Sequence, residues 1–169
     1  RSLSMSKAWI ALGGNLGQVL QAFRHVRLAL QTMPSCQLLA SSLLYQTPPI
    51  GPEGQGDYLN AVLHIQTSFI PIELLNCLQA LEQRHGRIRH EHWGARTLDL
   101  DIIAYDDVSM DSERLILPHQ HMHWRQFVLR PMCDISPDWL HPIQQVTAQT
   151  LLKKILATGE AALPDGKKW

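Results

Sequence analysis

Two segments with helical spacing, each set between runs of strand character, constrain the fold of this chain more than any other feature. Leu16, Val19, Leu20, Phe23, Val26, Leu30 and Met33 recur at helical intervals, and Pro34 stops the run. A second helix is expected from Pro71, a residue suited to a first turn, with Leu74, Leu75, Leu78 and Leu81 inward and an end near Gly86. Before the first lies "KAWIALGG", a short apolar strand closed by a glycine turn, with Asn15 as the cap of the helix that follows. Between the two helices, "CQLLASSLLYQT" reads as one long strand, "PPIGPEGQGD" as a loop and "YLNAVLHIQT" as a further strand. After the second helix comes a polar, basic loop, "GRIRHEHWGAR", and then the strand "RTLDLDIIAYDD". The order is βαββαβ, which predicts an α+β fold with a ferredoxin-like antiparallel sheet and helices on one face. A short hairpin near 108–117 and helices near 127–135 and 147–158 are additions at the C-terminal side.

Length and composition bound the rest. The 169 residues fit one domain over 5–169, with the "RSLS" ahead of Met5 read as a remnant outside it. Hydrophobic residues make up 45% and charged residues 18%, ordinary values for a soluble globular protein. A formal net charge of +0 offers no bulk field to attract nucleic acid or an anionic membrane, so any anion site must be local. "WIALGG" is too short for a transmembrane span and lacks the flanks of a signal peptide. Cys36, Cys77 and Cys133 form no CxxC and are odd in number, which favours reduced thiols and a cytoplasmic location.

The chemistry concentrates on the last strand of the βαββαβ unit. Alternation places Leu98, Leu100, Ile102 and Ala104 on one face and Thr97, Asp99, Asp101 and Ile103 on the other. The two carboxylates then project the same way from Cα atoms roughly 6.5–7 Å apart. Such a pair serves equally the wet face of a half-buried strand or a cation. Arg87, Arg89 and Arg96 lie just upstream, interleaved with His90 and His92. Guanidinium forks match phosphate oxygens, and hard oxygen ligands on one strand suit Mg²⁺, which also takes substrate phosphates. Together they are the components of phosphoryl transfer, although no GxxxxGK[ST] loop is present.

Downstream, "LPHQHMHWRQF" sets His119, His121 and His123 at alternate positions. Imidazoles so spaced could share a zinc ion on one strand face, but no cysteine or acidic residue completes the set nearby. His119 and Arg125 fit better as donors to nucleotide phosphates. Phe127 and Tyr58 serve either as core aromatics or as a slot for a flat heterocycle. Asn60 shares a strand face with Tyr58, and its carboxamide can both donate to and accept from a heteroaromatic amide.

Taken in order, "IALGGNLG", "YQTPPIGPEGQGDYLNA", "LEQRHGRIRHEHWGARTLDLDII" and "LILPHQHMHWRQFVLRP" closely resemble the 6-hydroxymethyl-7,8-dihydropterin pyrophosphokinase family, with "WGARTLDLDII" the most specific stretch. The resemblance implies transfer of the pyrophosphoryl group of ATP to the pterin hydroxymethyl, with release of AMP, in folate biosynthesis. It implies two Mg²⁺ ions between Asp99, Asp101 and the triphosphate, and catalytic roles for Arg87 and Arg96. By the same resemblance Thr47, Pro48, Ile50, Tyr58, Asn60, Trp93 and Phe127 form the pterin site, while Gln79, Arg89, Arg114, His119 and Arg125 contact the nucleotide. The partners expected are small molecules, without nucleic acid or membrane, and the chain is expected to be a monomer. The chain departs from the family pattern at Gly14, where serine is usual, and at Gln120, where tyrosine is common. It also carries His90 and His92 in a loop one residue shorter, where lysine or arginine is often found. The polar loop is expected to be mobile without ligand and to close over both substrates with Trp93 and Arg96.

The βαββαβ order is also that of an RNA-recognition module, but such a module wants aromatic strands and a basic sheet face. "WIALGG" and "YLNAVLHIQT" supply neither. A pterin-binding protein without catalysis is a third reading, disfavoured while both aspartates and Arg96 are present.

Overall fold

A computed structural model describes residues 4–15, 17–48, 57–85 and 98–169. Leu16, the segment 49–56 and the segment 86–97 lie outside them. The elements follow the expected order: β1 (Ser6–Asn15), α1 (Val19–Thr32), β2 (Cys36–Ser41), β3 (Tyr45–Thr47), β4 (Tyr58–Thr67), α2 (Pro71–Arg84) and β5 (Asp99–Tyr105). A small hairpin, β6 (Met110–Asp111) and β7 (Ile116–Leu117), leads through a short turn of 3-10 helix to α3 (Gln126–Ile135) and α4 (Ala148–Ala157). The main sheet is antiparallel in the order β2-β4-β1-β5, with β3 also on β4, as a ferredoxin-like topology requires.

Local signals explain the helix starts. Pro71 opens α2, and Glu73 reaches back to accept the Ile70 N–H at 3.0 Å. Thr147 caps α4 by accepting the Thr150 N–H at 3.2 Å. The first helix differs from expectation. Asn15 does not cap it but ends β1 opposite Tyr58, and the turn is made at Gly17, whose φ of +140° suits glycine.

Three further features depart from the sequence reading. Gly13 and Gly14 belong to β1, paired with Asn60 and Leu59, and do not form a turn. The stretch read as one strand over 36–47 is broken between β2 and β3. There Ser42 Oγ takes the Val62 N–H at 2.8 Å, a bond that a backbone carbonyl would otherwise accept. The third departure is in β5. Trp9 pairs with Ala104 while Ile10 pairs with Ile102, so a bulge at Ile103 turns Ala104 to the face opposite the one expected. Leu100 and Ile102 pack with Phe23, Val26, Leu30, Leu74 and Leu78 beneath α1 and α2. Ile103 and Ala104 join Trp9, Val62, Leu129, Met132 and Leu151 on the other side. Helices therefore cover both faces of the sheet, with α3 and α4 on the second. They leave open the part of that face around Gly13, Asn60 and the aspartates.

One group on the second face makes the fold acid-sensitive. His64 stacks on Trp9 with ring centroids 4.3 Å apart and 9° between planes, and its buried Nε2 has no hydrogen-bond partner among the described residues. Burial, helped by Lys7, pushes its pKa from 6.5 down to about 4. The unfolded chain therefore takes up this proton between those two values while the folded chain does not, so stability falls as pH drops through that window. His64→Phe keeps the stack and removes the titration. The loss of urea midpoint between pH 7 and pH 5 is expected to be smaller in this variant than in the original chain. An equal loss in both would place the acid sensitivity elsewhere.

Candidate active site

Cross-strand register builds the site. On the second face of the sheet, Asn60 of β4, Gly13 of β1 and Asp99 of β5 form one row; Val62, Ala11 and Asp101 form the next. The middle strand thus contributes only a glycine and an alanine between larger residues on both sides. The result is a hollow of about 230 Å³, floored by Ala11 and Gly13 and walled by Tyr58 and Asn60 on one side and Asp99 and Asp101 on the other. His119, Arg125 and Phe127 complete it. A Cβ added at Gly13 would lie 3.1 Å from Asn60 Nδ2 and 3.5 Å from Tyr58 Cε2, so those side chains already occupy the space a larger residue would need.

A second cavity of about 230 Å³ lies alongside, lined by Leu75, Ile102, Glu113, Arg114, Ile116 and Gln120 among others. Asp101 and His119 line both cavities and so form their common wall. The bulge of β5 contributes directly here. The carbonyl of Ile103 accepts the backbone N–H of His119 at 2.8 Å, tying the segment after β7 to the aspartate strand. His119 Nδ1 accepts the His121 N–H at 3.2 Å, which leaves the proton of a neutral ring on Nε2 as a donor. Burial lowers the His119 pKa, and Arg125 and His121 act the same way against the opposing charge of Asp101. The imidazole is therefore neutral near pH 7. Arg125 lies against two rings, with its guanidinium carbon 5.1 Å from the Trp124 centroid and 5.6 Å from that of Phe127.

The family model for 7,8-dihydro-6-hydroxymethylpterin-pyrophosphokinase matches residues 9–137, most of the chain. The chain belongs to this family. It is 39% identical over 145 residues to a 2-amino-4-hydroxy-6-hydroxymethyldihydropteridine pyrophosphokinase of Haemophilus influenzae, covering 86% of this chain and 91% of that one. It is 40% identical over 151 residues to the protein of the same name from Synechocystis, covering 89% of this chain and 77% of the other. Among solved structures, Plasmodium falciparum HPPK-DHPS with pterin and p-hydroxybenzoate superposes with a TM-score of 0.69. That match covers 94% of this chain but only 44% of the Plasmodium chain, at 13% identity, and shows the shared fold.

In this pyrophosphokinase fold, Asp99, Asp101, Tyr58, Asn60, Phe127, His119 and Arg125 meet at one cavity, and Arg114 lines the neighbouring one. Gln79 is not part of either lining. It accepts from Arg114 Nη2 at 3.1 Å, alongside Asn76 Oδ1 at 2.7 Å, so two α2 carboxamides hold that guanidinium. Thr47 pairs with Tyr58 in register, yet neither it nor Pro48 lines the cavity. Ile50, Arg87, Arg89, His90, His92, Trp93 and Arg96 lie outside the described residues. Among the described residues no group of three or more His, Cys, Asp or Glu side chains is placed to hold a metal ion. The sequence reading missed Ala11 and Gly13 as the floor. Their signal was available, because two small residues at i and i+2 in a strand leave a hollow between bulkier neighbours.

Proposed function

We propose that this chain transfers the pyrophosphoryl group of ATP to 6-hydroxymethyl-7,8-dihydropterin, a step of folate biosynthesis, using magnesium held by Asp99 and Asp101. The transfer is that of its family; the metal and the residue roles are our reading of the site. What carries this reading is the pair of cavities with Asp101 and His119 as common wall. A donor in one and an acceptor in the other would meet at those two side chains.

The donor set fits magnesium. Two carboxylates on one strand, without sulfur or a full protein cage, match an ion that takes one or two carboxylates and completes its shell with water and substrate phosphates. Bound there, two such ions would supply charge neutralisation on both sides of the reacting phosphorus. The chain's own residues do the rest. Tyr58 and Phe127 bracket a flat ring, and Asn60 gives its amide edge a donor and an acceptor. Neutral His119 donates from Nε2 to a phosphate oxygen, and Arg114 and Arg125 supply fixed positive charge on the two sides of the wall. We assign Arg87 and Arg96 to the phosphates as well, Arg89 to the nucleotide, and Ile50, Thr47, Pro48 and Trp93 to the rim of the pterin site. The hydroxymethyl oxygen attacks the β-phosphorus, the bond from that phosphorus to the α–β bridging oxygen breaks, AMP leaves with the electron pair, and the hydroxyl proton is released.

We also read the chain as a monomeric, single-domain cytoplasmic enzyme that engages neither nucleic acid nor membrane. Its zero formal charge offers no bulk attraction to nucleic acid or an anionic membrane, and no helix among the described residues is long and apolar enough to cross a membrane. The direct test is chromatography of ATP incubated with the chain, Mg²⁺ and the pterin alcohol. AMP and a pterin diphosphate are expected. ADP would make the chain an ordinary kinase, and unchanged ATP would make it a binding protein.

A further inference from the structure

The segment 160–169 has almost no regular secondary structure, yet it is bound at closely spaced points along its length. At its start stands Gln126, the first residue of α3 and only 4% exposed. Gln126 Nε2 donates to Glu160 Oε2 at 2.7 Å and to the Ala161 carbonyl at 2.8 Å, and its Oε1 accepts the Leu163 N–H at 2.7 Å. Both polar atoms of the carboxamide are committed to this segment. Further on, a Cβ at Gly166 would fall 2.6 Å from Leu43 Cβ and 2.9 Å from Tyr45 Cζ, so only glycine permits this approach. Lys167 and Leu44 then exchange backbone hydrogen bonds of 2.8 and 2.7 Å on the edge of the sheet. At the end, Trp169 Nε1 donates to the Ser42 carbonyl at 2.7 Å, while the Arg27 guanidinium lies 3.7 Å from its ring centroid.

These anchors join the two sides of the acceptor cavity. Gln126 stands between Arg125 and Phe127, both in the cavity lining. Tyr45, against which Gly166 packs, is the register partner of Asn60, another residue of that lining. Tyr45 in turn donates to Asp134 Oδ2 at 2.7 Å, so β3 is tied to the far end of α3 as well. Val128, Leu129 and Met132 pack α3 on the sheet, and the buried Gln126 carboxamide adds three hydrogen bonds at the first residue of the helix, next to Arg125 and Phe127.

We propose that Gln126 is a positioning residue for the acceptor cavity, and that residues 160–169 form a strap which fixes Phe127 and Arg125 relative to Asn60 through it. This rests on the acceptor reading given above. Removing the carboxamide breaks all three hydrogen bonds between α3 and residues 160–163 and loosens the first turn of α3. A displacement of about 1 Å in a positioning element can cost up to about a hundredfold in function, and pterin affinity is the quantity it should reach first.

The test compares the full chain with Gln126→Ala, Trp169→Ala and the pair Gln126→Glu with Glu160→Gln. The paired change moves the amide donor to residue 160 and restores that hydrogen bond alone, since a carboxylate at 126 cannot donate to the Ala161 carbonyl. Amide exchange without ligand should speed up at 126–129 in both alanine variants, Trp169→Ala acting from the far end of the strap. Calorimetry with the pterin alcohol should show about tenfold weaker binding in Gln126→Ala, with only part of the loss recovered in the paired variant. Unchanged exchange at 126–129 in Trp169→Ala would overturn the strap, whatever the ligand of the cavity. Full pterin affinity in a folded Gln126→Ala chain would overturn the positioning role. An original chain that fails to bind the pterin would count against the acceptor reading alone, because the exchange result does not depend on it.

Discussion

Asp101→Ala is expected to slow release of AMP by roughly a hundredfold or more while leaving the melting temperature nearly unchanged. The two halves of that statement come from different observations. Asp101 is exposed on β5, so its removal opens no core cavity, and surface substitutions of this kind usually move stability by no more than about 0.5 kcal/mol. Its carboxylate, however, is on the wall shared by both cavities, where the proposed reaction would place the charge of the transferring group. A hundredfold loss corresponds to about 2.7 kcal/mol of transition-state stabilisation, well within what a lost metal ligand accounts for. Asp101→Asn keeps the shape and removes the charge, and it should fall nearly as far. Raising Mg²⁺ should recover part of the rate in both variants if the defect lies in metal affinity. Asp99→Ala should behave similarly, since it shares the strand face one pleat away. Near-normal turnover in both alanine variants at the Mg²⁺ concentration that only just saturates the original chain would remove the two-metal assignment.

That aspartate pair was legible in the sequence because period-2 alternation needs no tertiary information. The same holds for β4, whose bounds Tyr58–Thr67 coincide with the run "YLNAVLHIQT", and for α2, where Pro71 marks the start. The bulge at Ile103 was not legible. It is a property of the pairing between β1 and β5, visible only when Trp9 faces Ala104 and Ile10 faces Ile102. Nothing in "DLDIIAY" signals that the alternation slips after the second aspartate. The consequence reaches the cavity wall, because the Ile103 carbonyl at the slip accepts the His119 N–H. Gly13 and Gly14 were misread for a related reason. Glycine favours turns only as a local preference, and two flanking strands that hydrogen-bond to β1 override it. The break at Ser42 likewise depends on a hydroxyl meeting the Val62 N–H from another strand.

Gly13→Val is the second substitution with a large expected effect, and it separates the acceptor cavity from the rest of the fold. Gly13 lies within β1 and is not among the residues with positive φ, so its backbone accepts any L-residue, and a β-branched side chain suits a strand. The difficulty is entirely on the side-chain face. Alanine alone brings a Cβ to 3.1 Å from Asn60 Nδ2, so Asn60 must yield by a few tenths of an ångström, while the Tyr58 ring at 3.5 Å stays in ordinary contact. Valine adds two methyl groups to the floor of a hollow of about 230 Å³. Overpacking of this kind costs about 1–3 kcal/mol, and here the strain can be relieved by moving Asn60 and Tyr58 into the open cavity instead of through the core. The fold should therefore survive while the pterin slot narrows and loses its carboxamide alignment. Expressed as affinity, the same strain amounts to about tenfold to a hundredfold weaker binding of the pterin alcohol, with Gly13→Ala at the lower end. The second cavity does not include Gly13 in its lining, so a non-hydrolysable ATP analogue with Mg²⁺ should bind within about twofold of its normal affinity. Calorimetry with each ligand separately, beside a thermal melt, reads all three quantities. Normal pterin affinity in a folded Gly13→Val chain would mean that the pterin does not lie over β1, and the assignment of Tyr58 and Asn60 to its recognition would fail with it.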